Sequence, residues 1–537
     1  MNSTDEVRNI SGVFEGLSYP NPLVFITGIA AAVFLAVLLS AEKRDHKGPK
    51  RWPLVGSYFQ VVKNFPVLHD WFLSYFSSEC RTIAVDWGTF YNILTVDPAN
   101  VEHILKTNFA NYPKGRVSHA RNYDFMGDGI FNSDGEMWKR HRKLASYEFS
   151  SKKVNEYSGQ VFRKAAVRMM EVLENIASKK TSFDFQDISM RMTLDSICEV
   201  AFGVELNTLS PSLPAVPFAA SFDRVNELIV RRLIGPVWKI LRALNLGSER
   251  ELKNQIQVLD SFTFQVIENR RQEIEACEKS GKEYVSFFLP NKTFSYRFVF
   301  QERQDLLSRF MTSTGASDAY HDRELRDAIL NFIIAGRDTT AITLSWFIYC
   351  ICNNPRVAKE IRLELDRTFG SESNTLTFSA FAQLLSTENL RTLHYLHACI
   401  SETLRLYPPV PRDGKYAAND DVLPDGTKVK RGDSVAYVQY SMGRMEFLWG
   451  PDALEFKPER WIKNSEYQPQ SPFVYTAFQA GPRICLGKDA AYLQAKITAA
   501  MLMRFFNFEL VKDHVVHYRL LMVLAMVNGI KVNVSTL

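Results

Sequence analysis

One ten-residue stretch, FQAGPRICLG from Phe478 to Gly487, sets a lone cysteine between glycines, behind an arginine and a phenylalanine. A thiolate at Cys485 would be a strong, soft ligand for iron. Flanking glycines let the backbone approach a flat macrocycle closely. Arg483 could neutralise a carboxylate on such a group, and Phe478 could keep water from the sulfur. A cysteine in isolation is ordinarily packing. The pattern F-x-x-G-x-R-x-C-x-G fixes five identities in ten positions and argues for chemistry.

Three other stretches carry chemistry-bearing residues at telling spacings. In GEMWKRHRK, Trp138 and Arg142 are four apart, so an indole N–H and a guanidinium share a helix face and can clamp carboxylates. Taken alone, that stretch reads as an exposed basic helix. In AGRDTT, Gly336, Asp338, Thr339 and Thr340 are poor helix formers inside an apolar helical pattern over 323–349. Small residues followed by an acid and a hydroxyl can open a helix to a ligand or water. Ala335 and Thr339 share a face. In SETLRLYPP, Glu402 and Arg405 are three apart among apolar residues, and burial would make an unpaired charge there costly. Arg460 in FKPERW could complete a Glu–Arg–Arg cluster that holds the fold rather than performs chemistry.

The elements that must position these residues are mostly helices. Apolar residues recur at three- and four-residue spacing over most of 98–366. RTIAVDWG and YNILTVDP alternate like paired strands. The 419–438 stretch reads as strands around an Asp-Gly turn, and short strands are expected again from Phe508. The chain has 537 residues, 46% of them hydrophobic, which is ample for a large core. A net charge of +5 is too small to imply nucleic acid. Seven scattered cysteines speak against a disulfide framework, and Cys350 and Cys352, two apart on a helix, against a metal site.

Residues 23–41 carry no charge and, as a helix, would span roughly 28 Å, a bilayer's hydrocarbon thickness. Acids precede the run, whereas Lys43, Arg44, Lys47, Lys50 and Arg51 follow it. The bias predicts a lumenal segment over 1–22, with Asn2 and Asn9 opening glycosylation triplets, and a cytosolic body. The expected organisation is a transmembrane anchor at 23–41, a basic, proline-containing linker at 42–57 and one catalytic domain over 58–537. The chain is thus expected to be a single-pass protein of the endoplasmic reticulum membrane.

Taken in order, W-x-x-x-R, A-G-x-D-T, E-x-x-R, P-E-R and the cysteine loop resemble the cytochrome P450 family over almost the whole chain from Pro49. The resemblance implies a mainly α fold with a minor β part and one bound haem b. Cys485 resembles the axial ligand of the haem iron. Trp138, Arg142 and Arg483 resemble the partners of the haem propionates, with Lys415 a further candidate. Glu402, Arg405 and Arg460 resemble the structural triad. Asp338 and Thr339 resemble the acid–alcohol pair that delivers protons during dioxygen activation, which points to a monooxygenase and away from a ligand sensor. Electrons would come from NADPH through a separate reductase, docked on Lys139, Arg140, Lys143 and Lys488, with a merely solvated charged helix as the less favoured alternative for that patch.

Within the family, FDFQDISMRMTLDSICEVAFG, FAASFDRVNELIVRR, LNLGSE, FIIAGRDTT and FQAGPRICLGK resemble the fatty-acid omega-hydroxylases of plants, algae and fungi. Expected pocket walls are Phe125, Phe131, Phe332, Ala335, Val410, Pro411 and Leu524 to Val527, which suit a long acyl chain and nearly as well a sterol or terpenoid. Arg231 and Arg232 could meet a substrate carboxylate, although solvated surface is the expectation for both. The aromatic-rich 285–301 stretch stands where a short charged connection is expected, either as a membrane-dipping loop or as an insertion without functional weight, the second being favoured.

Overall fold

A computed structural model of the chain describes residues 47–52, 55–86, 91–150, 152–235, 237–280, 288–291, 294–298, 305–312 and 321–537. The expected anchor at 23–41, the lumenal segment, the start of the linker and Asn2 and Asn9 lie outside them. No helix among the described residues is long and apolar enough to cross a membrane.

The body is mainly helical, with short strands in five small sheets among the described residues. Its strands Thr82–Asp86 and Tyr91–Thr95 pair antiparallel as their alternation predicts. The 419–438 stretch divides. Asp421–Val422 and Lys428–Val429 close on each other around the Pro-Asp-Gly turn. Ser434–Tyr437 instead runs parallel to Tyr91–Thr95 and antiparallel to Asp413–Tyr416, completing a four-stranded sheet. The 285–301 region contributes a hairpin, Phe288–Asn291 with Phe294–Phe298, whose second strand pairs with Val204–Glu205.

The long central helix belongs to two apolar cores. Its first part, Asp322–Ile333, buries Leu325, Ile329, Leu330 and Ile333 in a core with Phe222, Leu259 and Phe202. Its second part, Thr339–Asn353, buries Ile342, Leu344, Phe347 and Ile348 in the larger core. Between them, Ile334–Asp338 forms one π-helical turn. The opening expected at AGRDTT is therefore real: an extra residue in the turn widens the helix at Gly336, and two hydroxyl residues follow. Gly336 is required there by space, since a Cβ would come within 2.6 Å of the Ile197 side chain.

Candidate active site

Cys485 sits at the end of a loop whose backbone fixes it independently of its side chain. The Cys485 N–H donates to the Phe478 carbonyl at 2.8 Å. Gly481 turns the loop at φ +65°, and a Cβ there would lie 1.9 Å from the Leu105 carbonyl oxygen, so only glycine fits. The Lys488–Phe505 helix begins three residues later. The side chain is exposed, but that surface opens into a cavity also lined by Phe478, Trp138, Arg142, Arg483 and Thr339. Burial pushes the Cys485 thiol up. The Gly487 N–H and the charges of Arg142 and Lys488 pull the other way, toward the thiolate.

The basic groups gather on the Gly135–Ser150 helix and the cysteine loop. Trp138 is buried, and the Arg483 guanidinium lies 4.4 Å over its ring. Arg483 donates to the Ser133 carbonyl at 2.9 Å and to Asp134 at 2.7 Å, while its buried Nε has no protein partner. Arg142 donates to the Ile484 carbonyl. Lys415 is placed differently. It does not line the cavity; its ammonium is buried 2.8 Å from Asp413. Lys114, which the sequence reading missed, does line the cavity and shares that same carboxylate at 2.5 Å. Burial alone would push Asp413 up, but the two lysines outweigh it and hold the carboxyl well below its usual range. Strand alternation could have paired Asp413 with Lys415; nothing in the local sequence could have placed Lys114 beside them.

On the central helix, Thr339 faces the cavity and its hydroxyl donates to the Ala335 carbonyl at 2.7 Å. Asp338 does not line the cavity. Its buried carboxylate accepts from Arg337 at 3.0 Å and from Asn226 at 3.4 Å, and Arg337 also pairs with Asp223, whose side chain is 58% exposed. Burial lifts the Asp338 carboxyl to about 7 against the pull of Arg337. The acid and the alcohol are thus adjacent in sequence but on different sides of the π-helical turn, with the acid linked through Arg337 to solvent.

The structural cluster is complete. Glu402 accepts from Arg405 at 2.7 and 2.8 Å, from Arg460 at 2.8 Å, from the Trp461 indole at 2.9 Å and from the Lys457 backbone at 2.9 Å. Glu402 and Arg405 have no exposed side-chain surface.

These residues fit a thiolate-ligated haem. Cys485 is a single soft donor, and the described residues hold no group of three or more His, Cys, Asp or Glu poised for a metal. Iron held here by Cys485 would take its remaining ligands from the group that carries it, as a porphyrin provides. Arg142, Lys114 and the unpartnered Nε of Arg483 supply cationic donors for its carboxylates. The family model for cytochrome P450 matches residues 47–533.

The chain belongs to the cytochrome P450 family. It is 46% identical over 511 residues to cytochrome P450 704B1 of Arabidopsis thaliana, covering 92% of this chain and 95% of that one. It is 43% identical over 528 residues to cytochrome P450 704C1 of Pinus taeda, covering 95% and 98%. Against cytochrome P450 86B1 of Arabidopsis thaliana the identity is 37% over 518 residues, covering 94% and 88%. As a P450 monooxygenase, the enzyme draws from bound haem the capacity to activate dioxygen and insert one oxygen atom into a C–H bond. Cys485 and the basic residues would hold that group, with Thr339 at the cavity wall and the Asp338 carboxyl, lifted to about 7, behind it. Of the expected pocket walls, Phe131, Phe332, Ala335 and Val410 line this cavity; Phe125, Pro411 and the 524–527 segment do not. Phe125 is instead core, packed edge-on against Phe222 at 5.0 Å. Arg232 is not solvated surface: it is buried between Glu249 at 2.9 Å and Asp124 at 2.8 Å. Arg231 is exposed and pairs with Glu227 at 2.6 Å.

Proposed function

We propose that the enzyme hydroxylates long-chain fatty acids at or near the terminal methyl, using electrons that NADPH supplies through a separate reductase. The observation that carries this reading is the apolar stretch of cavity wall formed by Phe131, Phe332, Ala335 and Val410, leading to Thr339. The Asn331 amide beside it is satisfied: it donates to the Met126 and Asp327 carbonyls and accepts from the Phe131 N–H. Such a wall rewards a polymethylene chain at roughly 0.8 kcal/mol per buried CH₂. The motif resemblance to omega-hydroxylases supports the same choice.

Titration of the haem-loaded enzyme with oleic acid and with a sterol, followed by product analysis with reductase and NADPH, tests this reading. Saturable binding of oleic acid and a coupled hydroxylated product are expected; a response to the sterol alone overturns it. In the same assay, reversing Lys139, Lys143 and Lys488 to glutamate is expected to slow reductase-driven turnover and flatten its salt dependence, because rim charges act chiefly on encounter. Unchanged turnover would remove those residues from the docking face. The reading also places residues 23–41 in the endoplasmic reticulum membrane, which flotation of the full chain against one lacking residues 1–41 checks.

Asp338 gives a pH prediction. With its carboxyl lifted to about 7 by burial, the proton-donating form predominates below that pH and is lost above it. Turnover is expected to fall as pH rises through about 7. Asp338→Asn should remove that inflection and lower turnover by about 100-fold or more, the usual worth of a positioned acid. A pH profile unchanged in the variant would exclude Asp338 as the proton source.

A further inference from the structure

We infer that Asp223, on the Pro217–Arg231 helix, is a positioning residue for the reaction: by holding Arg337 it leaves Asp338 free to carry a proton, an inference that rests on the reading of Asp338 as the proton source. The three groups lie in series from solvent to the central helix. Asp223 is the surface end, its side chain 58% exposed, whereas Arg337 and Asp338 are buried in the π-helical turn.

Arg337 is shared unequally between the two acids. Its Nη1 and Nη2 donate to the two oxygens of Asp223 at 2.5 and 3.1 Å, a bidentate pair, while Nη1 gives Asp338 a single contact at 3.0 Å. The guanidinium also lies 5.2 Å over the ring of Phe222, the neighbour of Asp223. Its buried Nε has no hydrogen-bond partner among the described residues. The other grip on Asp338 comes from the same helix. Asn226 stands three residues after Asp223, and its Nδ2 donates to Asp338 Oδ2 at 3.4 Å. The Met522 N–H donates to Asn226 Oδ1 at 3.2 Å, which fixes the amide with its donor end toward the carboxyl. One helix thus governs both oxygens of the acid, Oδ2 directly and Oδ1 through Arg337.

The charge of Asp338 follows from that arrangement. Burial lifts its carboxyl to about 7, Arg337 opposes the lift, and the charge of Asp223 adds to it. Charged groups on the other packed elements are engaged elsewhere. On the Phe185–Phe202 helix, Asp195 accepts from the Thr208 and Leu209 N–H groups, Glu199 accepts from Lys164, and burial keeps the Cys198 thiol protonated. Glu227 is held by Arg224, Arg231 and, from the C-terminal segment, Arg519. In the first part of the central helix Arg326 pairs with Asp327 and Asp260, and the Thr339–Asn353 part carries no charged residue. Among the described residues Asp223 is therefore the one acid that competes with Asp338 for Arg337. Without that competitor the buried cation would belong to Asp338 alone and hold it ionised, with no proton to give.

The experiment reads Asp338 in the full-length, haem-loaded enzyme by infrared titration of its protonated carboxyl band, assigned by its absence in Asp338→Asn. The pH profile of oleic acid turnover with reductase and NADPH is measured beside it. In Asp223→Asn the band's titration and the falling limb of the profile are both expected to move to lower pH by about one unit, the low end of what a neighbouring charge does to a carboxyl. Asp223→Glu, which restores the charge, should bring both back close to the parent, and Arg337→Gln should move both to higher pH. Glu251→Gln removes a different partner of this helix, the acid that Arg224 holds at 2.6 Å, and is expected to leave both in place. Identical titrations in the parent and Asp223→Asn overturn the inference, as does a shift that Glu251→Gln reproduces, which would mark a loosened helix. An unchanged pH profile in Asp338→Asn defeats instead the reading of Asp338 as the proton source, and the infrared band still decides whether Asp223 sets its charge.

Discussion

Cys485→Ser is expected to abolish turnover and the carbon-monoxide spectrum of thiolate ligation while the chain still folds. The loop is set by backbone: the Cys485 N–H bond to Phe478, the left-handed turn at Gly481 and the helix start after Gly487 all survive the substitution. What goes is the polarizable anion. A serine hydroxyl is a harder donor, and the Gly487 N–H, Arg142 and Lys488, which draw the thiol toward its ionised form, cannot ionise an alcohol at ordinary pH. The loss should exceed the ~10–100-fold that removal of a supporting contact costs a metal site. A serine variant with the parent's spectrum and rate would refute the assignment of Cys485 as the iron ligand.

Glu402→Gln is expected to be the most damaging substitution for the fold. The carboxylate has two arginines, one indole and one backbone N–H aimed at it, with no solvent to take its place. Arg405 is committed further to the carbonyls of Gly443, Ala453 and Glu455. Removing the negative charge strands buried cations, at a cost of about 3–5 kcal/mol, against a typical net stability of about 5–15 kcal/mol. The variant should be recovered in low yield, with little bound haem and a lowered, broadened thermal transition. A transition matching the parent's would show that the cluster does not hold the fold.

The parts of this site that could be read from the chain are those whose meaning is local. Cys485, Arg483 and Phe478 lie within one loop, Trp138 and Arg142 on one helix turn, and Glu402 with Arg405 on another. Only the residue types in PERW joined Arg460 to the last pair. Where meaning depends on the far end of the chain, reading fails. Arg232 is closed off by Asp124, 108 residues away, and Lys415 answers to an acid that Lys114 also holds from 299 residues away. Helical geometry separates Asp338 from Thr339, since adjacent residues on a helix point about 100° apart. The parallel pairing of Ser434–Tyr437 with Tyr91–Thr95 is equally invisible locally, because a hairpin partner beside the Asp-Gly turn looks as good.

The central helix has one last consequence. Its two ends are seated in separate cores and are joined along the helix through the five-residue turn at Ile334–Asp338. Neither end can slide or roll without dismantling its own packing, so adjustment to a bulkier guest has to be absorbed within the turn. Truncations of Ile329 on one side and Ile348 on the other should therefore have additive effects on stability, as independent sites do. The reaction chamber then sits at a seam between two separately packed cores, which the Phe185–Phe202 helix also bridges.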